Sequence, residues 1–224
     1  MTKSIPPAER WYEDACGTAH ALELVGERWA LLVMRELVFG PRRFGDIRSS
    51  LPGISANALT KRLESLEASG IVLRRKLPPP ASVQVYELTP WGYEAEPILS
   101  VLGRWAARSP SHDPTLPLSP ASIAMSFRTM FDPKRAKGSA MKVGLRFGVD
   151  EFRAEVAGGA LTIQRAPLDD VDVTLSCAPT ALAAIVYGGR SLAAAEADGS
   201  IVVVGDRARL KRFVSLFRLP PKAA

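Results

Sequence analysis

The segment "SPSHDPTLPLSP" (residues 109–120) places four prolines in twelve residues. Each proline fixes φ and removes a backbone donor, and no helical or strand period survives the run. The segment therefore reads as a Pro-rich linker. It divides the 224-residue chain into residues 1–108 and 121–224, each of ordinary domain length. Apolar residues make up 47% of the chain, enough for a core in both parts and too many for a disordered protein.

The first part reads as mostly helical. A first helix is expected from an N-cap at Asp14 to Gly26, and a second over "ERWALLVMRELVF", stopped by Gly40-Pro41. A short third helix over "RRFGDIRSSL" is followed by the turn "PGIS". Ser55 then caps a helix that runs over residues 56–69 toward Gly70. "IVLRRKL" and "SVQVYEL" are strand-like and are joined by a stiff "PPPA" loop. Thr89-Pro90 opens a last helix, which Pro97 is expected to bend. Two helices joined by a tight turn and followed by a two-stranded ribbon make a winged helix-turn-helix.

The second part is expected to be α+β, with one sheet. A helix over "ASIAMSFRTMF" precedes three strands, the last two separated by the hairpin signal Gly158-Gly159. "VDVTLSC" and "GSIVVVGD" read as further strands. "PTALAAIVYGG", "SLAAAEA" and "RARLKRFVSLF" read as helices.

Charge adds a functional clue. The chain carries a net +6, which favours an anionic partner without naming one. The window 42–76 holds eight basic and three acidic residues, a local +5 around the helix–turn–helix and its wing. In this arrangement the second helix enters the major groove and the wing lies along the backbone. Ser55, Asn57, Thr60 and Lys61 are candidates for bases or phosphates. Arg42, Arg43, Arg74, Arg75 and Lys76 are candidates for phosphates. Strand alternation puts Arg75 on the face opposite Arg74 and Lys76. Double-stranded DNA is the expected partner.

The run "CGTAHALELVGERWALLVMRELVFGPRRFGDIRSSLPGISANALTKRLESLEASGIVLRR", closed by "YELTPWG", strongly resembles the HxlR-type winged-helix transcriptional regulators over about residues 14–106. The resemblance implies DNA binding as a homodimer, with terminal helices packed across a two-fold axis. Glu27 stands where many members carry Lys. Independently, Ile98, Leu99, Val101, Leu102 and Trp105, with Trp11 and Tyr12, offer more apolar surface than a small monomer needs.

Cys16 is placed in the first turn of the first helix, where the helix N-terminus lowers a thiol's pKa, and His20 one turn on would lower it further when protonated. Members of the resembled family sense oxidants through the equivalent cysteine, so a thiol-based repressor is one rival reading. Two distant cysteines, Cys16 and Cys177, fit a reducing cytoplasm. No apolar run reaches membrane-spanning length, and no signal peptide is recognised in the first residues.

"DVTLSCAPTALAAIVYGG" and "AAAEADGSIVVVGDRARLKRFVSLF" resemble a sterol carrier protein type-2-like domain over about residues 123–219. That resemblance implies an apolar cavity for a lipid or other apolar small molecule. Phe147, Phe152, Ile185, Tyr187, Leu192 and Phe217 are its candidate lining. A lipid carrier that uses the winged helix only to dimerise is the second rival. No metal-ligand spacing, phosphate loop or catalytic triad is found. The expectation is a non-enzyme without cofactor, located in the cytoplasm at the nucleoid.

Overall fold

The computed structural model describes residues 12–223; Trp11 lies outside them. Two compact units divide at Glu96 and Pro97. The boundary thus falls before the Pro-rich segment, because the helix that follows Pro97 makes its contacts with the second unit.

In the first unit, α1 (Gly17–Val25), α2 (Ala30–Leu37), α3 (Phe44–Ser50) and α4 (Ala56–Ala68) precede a hairpin of β1 (Val72–Lys76) and β2 (Gln84–Leu88). The short α5 (Pro90–Tyr93) closes it. Leu59, Leu63 and Leu66 of α4 are fully buried, together with Val33, Leu37 and Ile47 of α2 and α3. Each such side chain contributes about 2 kcal/mol by leaving water. Gly70, at φ +72°, terminates α4. Its N–H donates to Glu67 O, and Ile71 N–H reaches back to Leu66 O, the paired bonds that end a helix on a left-handed residue.

Three element boundaries differ from the sequence expectation. Cys16, not Asp14, is the N-cap of α1; Asp14 Oδ1 instead accepts from Cys16 N–H at 2.9 Å. The second helix begins only at Ala30, because Trp29 is left-handed at φ 78°. The last helix breaks rather than bends: α5 ends at Tyr93 and α6 spans Glu96–Ala106. Pro97 has no N–H to offer the carbonyl four residues back, so the ladder cannot run through.

The second unit contains most of α6. Ser100 Oγ meets Met125 Sδ at 3.6 Å, and Arg104 Nη1 donates to Thr129 O at 3.2 Å. These partners lie on α7 (Pro120–Met130), capped by Ser119. Then follow α8 (Pro133–Ala136), β3 (Met141–Phe147), β4 (Asp150–Ala157), β5 (Ala160–Arg165), β6 (Val173–Cys177), α9 (Pro179–Val186), α10 (Leu192–Ala197), β7 (Ile201–Gly205) and α11 (Arg207–Val214). The five strands form one sheet in the order β5-β4-β3-β6-β7, with β3 and β6 parallel and the other pairs antiparallel. Alternation buries Val143, Leu145, Phe152, Ala154, Ile163 and Leu175 on one face. Lys142, Arg146, Glu151 and Glu155 occupy the other.

Candidate nucleic-acid interface

The α3–turn–α4 pair positions the polar face of α4. Ser55 Oγ accepts from Ala58 N–H at 3.1 Å, so this hydroxyl is engaged as the helix cap. Asn57, Thr60 and Lys61 follow on the exposed side, opposite the buried leucines. Ser55 thus sets where the helix starts, and the next three residues present donors and acceptors to solvent.

The expected phosphate contacts divide into paired and unpaired groups. Arg74 Nε lies 3.8 Å from Glu67, and Arg75 Nε donates to Glu87 Oε2 at 2.6 Å across the hairpin. Lys76 is exposed and carries no ion pair among the described residues. Arg42 is half-buried, and its backbone exchanges two hydrogen bonds with Tyr86, at 2.9 and 2.8 Å, extending the wing. Arg43 is exposed at the start of α3. Arg48, on the same helix, is also exposed and unpaired. It lies inside the basic window, and the apolar side Phe44–Ile47–Leu51 places it outward, but a single arginine on a short helix carries no mark that separates a phosphate contact from a solvated charge.

Glu27, the departure from the family pattern, accepts from Arg62 Nη2 at 2.8 Å. Arg62 is largely covered and braces α4 from behind. The acidic charge of Glu27 is therefore matched by Arg62 within the unit.

Cys16 is exposed at the α1 N-cap. The Thr18 N–H, the Thr18 hydroxyl and the Ala19 N–H favour the thiolate and hold its pKa below the usual thiol value. His20 does not assist: its Nδ1 pairs with Glu23 at 3.1 Å. Burial pushes the Cys177 thiol up to about 12.

Of the six apolar candidates of the second unit, three lie in aromatic pairs. Phe217 stacks on Phe127 with centroids 4.4 Å apart and meets Phe213 edge-on. Phe147 and Phe152 form a tilted pair, with Arg165 over the Phe152 ring. Ile185 is buried and Leu192 half-buried. The Tyr187 hydroxyl shares a hydrogen bond of 2.7 Å with Ser126 Oγ. Among the described residues no three His, Cys, Asp or Glu side chains are grouped as a metal site requires, and no helix is long and apolar enough to cross a membrane.

Residues 24–113 match the HxlR-like helix-turn-helix family model. The HTH-type transcriptional regulator YvaP of Bacillus subtilis is 35% identical over 86 residues, which cover 38% of this chain and 80% of YvaP. The chain belongs to the HxlR-like helix-turn-helix family. YodB of the same bacterium, an HTH-type transcriptional regulator, is 36% identical over 38% of this chain and 77% of its own. A Synechocystis regulator is 40% identical, but the match spans only 62% of that protein. Among solved structures, reduced YodB aligns at 32% identity over 45% of this chain and all of YodB, with a TM-score of 0.40. Residues 112–223, half of the chain, match the model described as alkyl sulfatase C-terminal, and the second unit is a member of that domain family. This is the match found where the sequence resemblance pointed to a sterol carrier protein type-2-like domain.

Proposed function

We propose that this HxlR-like chain is a homodimeric DNA-binding transcriptional regulator that reads a palindromic operator through α4. The observation that carries the reading is the exposed face Asn57–Thr60–Lys61, flanked by the unpaired cations Arg43, Arg48 and Lys76. Hydrogen-bonding groups in the first turns of a recognition helix suit base edges, and free cations at its borders suit phosphates. Dimerisation is supported by α1 and α6, neither of which buries a residue. On α6, Ile98, Val101 and Trp105 are 59%, 70% and 70% exposed. Two copies would set their reading helices about 34 Å apart, one turn of duplex.

A mobility-shift titration against the DNA upstream of its own gene tests the reading. Lys61→Ala is expected to weaken binding and to lower the salt slope by about one unit, as for one lost phosphate contact. Asn57→Ala is expected to relax base preference. Equal loss on every sequence would remove the reading role of Asn57, and no sequence-dependent binding at any genomic site would remove the function.

A second reading has its own observation. The exposed Cys16 thiol, favoured as thiolate by the α1 N-terminus, supports oxidant-dependent release of the operator. Unchanged release by diamide in Cys16→Ser counts against it. The second unit is proposed as an effector domain for an apolar ligand, supported by the sterol carrier-like pattern of its sequence. Native mass spectrometry of the purified chain reads a bound lipid directly. A ligand-free mass, with DNA affinity insensitive to added lipid, counts against that role.

A further inference from the structure

The most basic part of the chain lies outside the helix-turn-helix. Residues 128–142 hold five basic side chains and one acid, and residues 207–224 hold six and none. That is +10 in 33 residues, against +5 in the 35 residues of the window 42–76. The fold lays these two segments side by side. Phe131 and Phe217 form a backbone bridge; Asp132 N–H donates to Leu216 O and Arg218 N–H to Met130 O. Arg212 Nε donates to Ser139 Oγ at 3.0 Å and its Nη2 to Arg135 O, while Arg135 Nη1 donates to Ser215 O. These acceptors are neutral. They fix two guanidinium groups beside each other and neutralise neither.

Several nearby charges are neutralised elsewhere: Arg207 by Glu196, Arg209 by Asp172 and Asp206, Lys142 by Asp170. Arg128 donates to Ile163 O, and Lys222 Nζ donates to Ala107 O and Ser109 O. Beside the seam, Lys134, Lys137, Lys211, Arg212 and Arg218 are left without an ion pair among the described residues. Lys134, Lys137, Lys211 and Arg218 are exposed. The acid in the seam, Asp132, accepts from the Lys134 and Arg135 N–H groups and stands 4.0 Å from Arg135 Nε. The seam therefore keeps five cations that no carboxylate pairs among the described residues, with Asp132 offsetting Arg135 alone, and such a field gains most from a polyanion.

The surface chemistry selects among polyanions. A bilayer surface is held by cations together with apolar side chains that enter it. None of the large exposed apolar side chains among the described residues falls in either basic segment. Cations without an apolar flank suit a row of phosphates. We infer that the seam between residues 132–139 and α11 is a second, sequence-independent contact with the DNA backbone. The inference rests on the DNA-binding function proposed above.

The test is a salt titration of full-length protein on a random-sequence duplex, read by fluorescence anisotropy. It compares wild type, Lys61→Ala and the triple variant K134Q/K137Q/K211Q, whose exposed substitutions should leave the thermal midpoint unchanged. The triple variant is expected to lower the salt slope by about two to three units, at about 0.9 per phosphate contact. A wild-type slope in the triple variant overturns the seam, and so does loss of binding to phosphatidylserine vesicles with the DNA slope intact. If Lys61→Ala alone changes the slope, the seam falls and the proposed function stands. If the triple variant alone changes it, the seam stands and the phosphate contact of Lys61 falls. A wild-type protein that binds no duplex sinks both.

Discussion

Cys16 and Cys177 carry the same thiol in opposite surroundings. At the α1 N-cap the amide and hydroxyl donors of Thr18, with the amide of Ala19, favour the charged form; at the end of β6 burial disfavours it. A lowered pKa means that the thiolate fraction, and with it the alkylation rate, rises at lower pH than for an ordinary thiol. Iodoacetamide mapping by mass spectrometry over neutral to mildly alkaline pH is therefore expected to label Cys16 and spare Cys177. Equal labelling of both would contradict the environments described. The sequence put Cys16 near a helix start but not at its cap, because Asp14 is as good a capping residue on pattern alone. Which acidic residue His20 meets was equally hidden, since Glu23 becomes its neighbour only once the helix has formed. Arg62 shows the same limit: its partner Glu27 is 35 positions away.

At the scale of elements the local signals were more legible. Ser55 and Thr89 cap α4 and α5 as their sequence positions indicate, while Ser119, read as part of the linker, caps α7; each side-chain oxygen accepts an amide hydrogen three residues on. Ser55→Ala is expected to lower stability by about 1 kcal/mol in urea unfolding, the usual cost of a lost cap. Gly92 was not legible as a packing residue. A Cβ there would stand 2.2 Å from Ile71 O, where Thr89 Oγ1 also donates, so α5 lies directly on the turn that ends α4. Backbone cannot move aside as a flexible side chain does. Gly92→Ala is expected to cost about 2 kcal/mol or more and to loosen the wing as well as the helix. A variant as stable as wild type would show that α5 does not press on this turn. The break between α5 and α6 was half legible: Pro97 marked the place, but pattern could not choose between a bend and a stop.

For the whole molecule, the proposed dimer rests on the exposed apolar face of α6. Replacing Val101 and Trp105 by Glu is expected to shift sedimentation toward the monomer and to weaken operator binding, while the circular dichroism of each unit persists. A variant that stays dimeric would move the interface elsewhere. The basic seam escaped the sequence reading because its two segments are some seventy residues apart and each alone resembles a solvated charge run. The single sheet was visible from periodicity; the boundary at Glu96 and Pro97 was not, since the proline-rich segment 109–120 lies inside the second unit, and the strand order was not, since parallel pairing leaves no local mark. That order has a consequence in time. β1 and β2 pair across a short loop, and β3, β4 and β5 across tight turns, but β6 must find β3 about thirty residues away before β7 has an edge to join. Contacts of such separation form late, because loop closure precedes their reward. On a ribosome the helix-turn-helix is made first and from near neighbours. The nascent chain thus holds a folded helix-turn-helix while the sheet that follows it in sequence is still an open three-stranded meander.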